Sequence, residues 1–163
     1  MSRRAPNGRP FESVTDYPRP PRVEPLERQV RIELGGEVIA QSDRALRVLE
    51  TAGAPTIYLP REDVRTEKLR PGKGTTECEW KGTASYFDAI AGQKLSPRAA
   101  WTYAQPKPGF EALRNRIAFY ASRVDGAYLD EERVEPQPGG FYGGWVTAEI
   151  EGPIKGERGS ESW

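Results

Sequence analysis

The 163-residue chain has no histidine, a single cysteine and no apolar run long enough to cross a bilayer. Each absence removes a class of function. Without His there is no general base of the usual kind near neutral pH and no Ser-His or Cys-His nucleophile pair. With Cys78 alone there is no intrachain disulfide, and a structural zinc needs four ligands drawn mainly from Cys and His. Carboxylates remain as metal ligands, but Arg61-Glu62-Asp63 and Glu131-Glu132-Arg133 interleave acids with bases instead of spacing them as a ligand loop. No metal and no cofactor are expected. Net charge of one sign is missing too: Lys plus Arg equals Asp plus Glu at 24 each, so no global field draws the chain to nucleic acid or an anionic membrane. Arg3-Arg4 is followed by polar Asn7, Gly8 and Arg9 and not by the apolar core of a secretory leader. A cytoplasmic protein without nucleic-acid or membrane partners is the expectation.

What is present is enough apolar side chain for one modest core, with Gly and Pro abundant enough to demand many turns. Residues 1–22, rich in Pro and Arg, read as an extended basic arm, residues 23–148 as the single domain, and residues 149–163 as a polar, Gly-rich tail. Val30-Arg31-Ile32-Glu33-Leu34 alternates strictly and is followed by Gly35-Gly36 and Val38-Ile39-Ala40, which predicts a strand, a tight turn and a returning strand. Ala45 to Glu50 suits either a short helix or a strand. Thr56 to Leu59 predicts a strand stopped by Pro60, with a helical turn at Arg61 to Val64. Thr75 to Trp80, Thr83 to Ile90 and Arg98 to Tyr103 predict strands, the last with Trp101 and Tyr103 on one face. Phe110, Leu113 and Ile117 fall at helical spacing, and short strands close the body at Phe119-Tyr120, Val124 to Leu129 and Arg133-Val134.

Together, Arg44 to Thr51, Tyr58 to Val64, Cys78 to Tyr86, Ala100 to Tyr103 and Ile117 to Tyr120 resemble the family known as domain of unknown function 427, over roughly residues 28 to 135. The resemblance implies a mostly β fold of the β-tent group: two small antiparallel sheets leaning together, with one or two short helices. Zinc-bearing members of that group use paired Cys-x-x-Cys knuckles, which this chain lacks, so no zinc is carried over. Ile57 stands where the family usually has a second aromatic beside Tyr58. A label attached to the family suggests nucleotidyl transfer, but there is no Gly-rich loop feeding a helix and no aspartate pair spaced for magnesium.

Three functions stay open at this level. The first is a binding module for a small anionic or aromatic ligand, with Arg44 and Arg61 as forked donors, Tyr58, Tyr86 and Tyr103 as hydroxyls and flat faces, and Glu50 beside them. Against it stands the plain alternative that Arg44 pairs with Glu50 and Arg61 with Asp63. The second is an enzyme of unassigned class using Cys78 or Asp63 with Lys81, although a lone Cys is more often a small buried side chain. The third is a homodimer whose two tails embrace a second copy. Trp80 and Trp101 read as core aromatics, and Gly139 to Trp145 as a segment folding back over the body.

Overall fold

A computed structural model describes residues 3–156; residues 157–163 of the expected tail, Trp163 included, lie outside the described residues. The strands run in chain order as β1 (Glu12–Ser13), β2 (Arg22–Pro25), β3 (Val30–Leu34), β4 (Glu37–Ser42), β5 (Leu46–Leu49), β6 (Thr56–Tyr58), β7 (Leu69–Cys78) and β8 (Gly82–Ala91). They continue as β9 (Lys94–Thr102), β10 (Ile117–Phe119), β11 (Gly126–Leu129), β12 (Glu132–Arg133), β13 (Glu135–Pro136), β14 (Trp145–Val146) and β15 (Ile150–Glu151). The fold is mostly β, built of several small open sheets. The helical pieces among the described residues are single 3-10 turns, and no helix there is long and apolar enough to cross a membrane.

Two four-stranded antiparallel sheets, ordered β10-β9-β8-β7 and β12-β11-β3-β4, sandwich the main core. On β3 the alternation sends Val30, Ile32 and Leu34 inward and leaves Arg31 and Glu33 half-exposed. The turn to β4 places Gly35 and Gly36 at φ of 61° and 82°, left-handed values that suit a two-residue hairpin. Gly35 has a second reason to lack a side chain, because a Cβ would overlap the Ala91 carbonyl at the tip of the β8–β9 hairpin. The two hairpin tips meet backbone to backbone.

A smaller sheet, β2-β5-β6, holds Leu46–Leu49 between two partners, which resolves the helix-or-strand choice at Ala45 to Glu50 in favour of a strand. It joins the first large sheet where the Leu59 and Ile117 backbones exchange hydrogen bonds of 2.8 and 2.9 Å. The helix expected from Phe110, Leu113 and Ile117 shrinks to the turn Glu111–Leu113. Asn115 at φ 60° breaks it, and Ile117 is taken by β10 pairing, so an apolar spacing of three and four residues came from a turn followed by a strand.

The flanking segments are packed, with charged groups as well as apolar ones. Glu12–Ser13 and Ile150–Glu151 pair in parallel, and Val14, Tyr17, Ile150 and Ile154 form an apolar cluster with Leu49 and Ala54. Asn7 donates to Glu132 and Glu149 from the arm side.

Candidate functional site

β6, the middle of β8, the end of β9 and β10 have both faces covered, and the alternation sorts their side chains between them. Ile57, Leu59, Phe87, Ala89, Ala100, Ile117 and Phe119 go to the main core. Tyr58, Tyr86, Trp101, Tyr103, Ala118 and Tyr120 go to a second, aromatic cluster on the opposite face. That face is not filled. Between it, the end of β5 and the segment 137–144 lies a cavity of about 250 Å³.

Tyr58 is the centre of the wall. It is fully buried, its hydroxyl accepts from Trp101 Nε1 at 3.2 Å, and its ring meets Trp101 edge-on with centroids 6.0 Å apart. Tyr86 shares a 2.9 Å hydrogen bond with Thr76 on β7 and is covered by the Arg98 guanidinium at 3.9 Å. Burial holds the Tyr103 and Tyr120 phenols above the ordinary tyrosine range, so both are neutral donors at any physiological pH.

Lys81 comes from the turn between β7 and β8. Gly82 at φ 116° closes that turn, and the Lys81 carbonyl accepts from Lys107 N at 3.0 Å. It is 8% exposed. Burial opposes its charge, but Tyr58, Cys78 and Glu50 outweigh burial and the pKa lies above the ordinary lysine value, so the ammonium form is resident. Glu50 acts through space: among the described residues no carboxylate makes an ion pair with Lys81. A cation this buried and without a counter-ion is uncommon. Cys78 is half-buried in the same wall, its sulfur 3.4 Å from the Lys81 backbone nitrogen.

The roof is a hairpin. β13 and β14 pair Glu135 with Val146 and Pro136 with Trp145, and the intervening loop lies across the cavity. Trp145 anchors it, fully buried, with Nε1 donating 2.9 Å to the Phe119 carbonyl. Gln137 accepts from Ala54 N at 3.1 Å and donates to the Lys155 carbonyl at 3.0 Å. Tyr120 and Arg123 hold the loop's far side through the Phe141 and Gly140 carbonyls at 3.2 and 3.1 Å. Phe141 and Tyr142 remain 62% and 38% exposed at the cavity mouth.

Of the residues singled out in the sequence, Glu50, Tyr58, Cys78, Lys81, Tyr86 and Tyr103 line this cavity together. Arg44, Arg61 and Asp63 lie elsewhere. Arg44 forks onto Asp63, with Nη2 to Oδ1 at 2.9 Å and Nε to Oδ2 at 3.3 Å, and Ser42 adds a 2.6 Å bond to the same carboxylate. The Arg44 guanidinium holds Asp63 below the usual carboxylate range. Arg61 donates 3.1 Å to the Asn115 carbonyl. The pairings expected as the plain alternative, Arg44 with Glu50 and Arg61 with Asp63, are therefore exchanged for Arg44 with Asp63. Tyr120, Gln137 and Phe141 are cavity residues that local patterning did not single out as site residues; the alternation Ile117-Ala118-Phe119-Tyr120 carried the only signal for Tyr120.

No three His, Cys, Asp or Glu side chains among the described residues converge as a metal site. Among curated proteins, none matches the chain. A family model described as Domain of unknown function (DUF427) matches residues 22–130, which takes in the aromatic wall and Lys81 and stops before the roof hairpin. With two thirds of its length matched, the chain belongs to the domain of unknown function 427 family.

Proposed function

We propose that this protein is a binding module for a small ligand that is anionic, aromatic or both, held in the cavity under the roof hairpin. The observation that carries the reading is Lys81: a buried ammonium without an ion-paired carboxylate, in the wall of a cavity that Tyr58, Tyr86, Trp101, Tyr103 and Tyr120 also line. A mostly apolar cleft with a few convergent polar groups is where a ligand gains from leaving water. The anion is held by Lys81 and not by Arg44 or Arg61, whose guanidinium groups are engaged outside the cavity. Thr76 and Tyr86 share a hydroxyl hydrogen bond at the cavity wall and give orientation. The reading places the protein in the cytoplasm, where small metabolites are available to it.

The test is native mass spectrometry of gently purified full chain beside Lys81→Met. A small-molecule adduct on the wild type that is absent from the folded variant supports the proposal. An adduct equally abundant on both, or no adduct together with no stabilisation by any member of a metabolite panel, contradicts it.

A further inference from the structure

Charge and size narrow the ligand, on the footing of the binding reading just given. The charged side chains around the cavity are Lys81 and Lys155 against Glu50 and Glu77, so the site is balanced before anything enters. Glu77 is exposed and already accepts a hydrogen bond from Thr83, which leaves Lys81 and Lys155 against Glu50, one net positive charge for a ligand to meet. One added negative charge satisfies Lys81. A second would face Glu50 across a space of low dielectric. Phosphoryl groups are gripped by forked arginines, by backbone amides at helix N-termini or by nests of successive amides. No arginine lines this cavity, and Arg98 and Arg123 lie over the Tyr86 and Tyr120 rings at 3.9 Å each.

The walls favour a flat body. Trp101 and Tyr120 pack with centroids 4.7 Å apart on the sheet side, and Phe141 and Tyr142 form an edge-on pair at 5.3 Å across the mouth. Phe141 and Tyr142 are two of the few large apolar side chains left exposed among the described residues, and both are at this opening. A ring sliding in would cover them and stack against aromatic faces. The volume of about 250 Å³ lies under the range of roughly 300 Å³ upward that takes drug-sized molecules or nucleotides.

We infer that the ligand is a single-ring aromatic monocarboxylate, its carboxylate on Lys81 and the Tyr103 hydroxyl and its ring between the Trp101–Tyr120 wall and the roof aromatics. A monocarboxylate supplies one charge and two acceptor oxygens, which one ammonium and one neutral phenol can meet.

The experiment is calorimetric titration of the full chain and of Lys81→Met with benzoate, benzamide, inorganic phosphate and a nucleoside monophosphate. Benzoate is expected to bind the wild type about tenfold or more tightly than benzamide, and Lys81→Met to erase that difference while still binding benzamide. Phosphate and the nucleotide are expected to give no heat. Equal affinity for benzoate and benzamide overturns the inference, as does tighter binding of phosphate or nucleotide, and either result leaves the pocket reading standing. No binding of benzoate overturns the inference as well. If native mass spectrometry then shows a Lys81-dependent adduct, the ligand class alone was wrong; if it shows none, the pocket reading falls with it.

Discussion

Gly143 lies so close against the indole of Trp101 that a Cβ there would enter the six-membered ring. The roof therefore rests on the wall through a residue with no side chain, and the contact sets the cavity's height. Gly143→Ala is expected to lift the loop, lower the unfolding free energy by about 1–3 kcal/mol through overpacking, and weaken whatever binds beneath. Gly53→Ala is the control, since its Cβ would meet the nearest atom at 3.6 Å, and it should stay within about 1 kcal/mol of wild type. Urea midpoints of the two variants separate the outcomes; equal midpoints would mean that the roof yields freely.

Among the described residues Arg28 is the other buried cation, and unlike Lys81 it is surrounded by acids. Its side chain is 5% exposed and reaches Asp130 and Glu132 at 3.0 Å and Glu149 at 3.6 Å, tying the first residues of the domain to its end. Arg28→Met leaves Glu132 and Glu149 without a counter-ion, with Asp130 keeping Arg9, and is expected to cost about 3–5 kcal/mol of stability at neutral pH. Thermal and urea unfolding of the purified variant would show it.

The same cluster sets a pH dependence. Burial works against the Glu132 charge, but hydrogen bonds from Asn7, the Ala148 backbone and Arg28 outweigh it and lower the pKa. Asp130 is lowered likewise, its burial outweighed by the Gln29 backbone, Arg28 and Arg9. A carboxylate whose folded pKa is depressed contributes stability above its unfolded value of about 4, and loses it as pH falls through the folded value. The wild-type urea midpoint should therefore drop on acidification below about pH 5, and Arg28→Met should show a shallower drop. Parallel profiles from pH 3 to pH 7 would count against this account.

Cys78 offers a direct probe of the cavity because it is the only thiol in the chain and lines the wall beside Lys81. Native protein is expected to take up one equivalent of iodoacetamide more slowly than a free thiol, and the carbamidomethylated protein should lose ligand binding while keeping its fold. Labelling that waits for denaturant would place the thiol out of reach of the cavity.

The absence of His and of a second Cys leads to a prediction about metals. A chelator should leave the Tm unchanged, and elemental analysis after dialysis should find well under one zinc or iron per chain. About one equivalent retained through dialysis would contradict it.

The hairpin at Gly35-Gly36, the strand ending at Pro60 and the aromatic strand carrying Trp101 and Tyr103 were legible in the sequence, because period-two alternation and turn chemistry act between neighbours along the chain. So was the mostly β character; of the nine candidate residues named from the sequence, six line one cavity and Arg44, Arg61 and Asp63 do not. The helix at Phe110 to Ile117 was misread because a turn followed by a strand can imitate helical spacing over eight residues. What the tertiary structure alone decided are the long-range choices. Local pattern could not show that Arg44 would meet Asp63 instead of Glu50, that Glu12 would lie beside Ile150, or that residues 137–144 would roof an aromatic wall assembled from β6, β8, β9 and β10. Nor could it show that Lys81, a polar residue in a turn, would be buried, since burial depends on what the rest of the chain places over it, and that covering is supplied by segments up to about seventy residues away along the sequence.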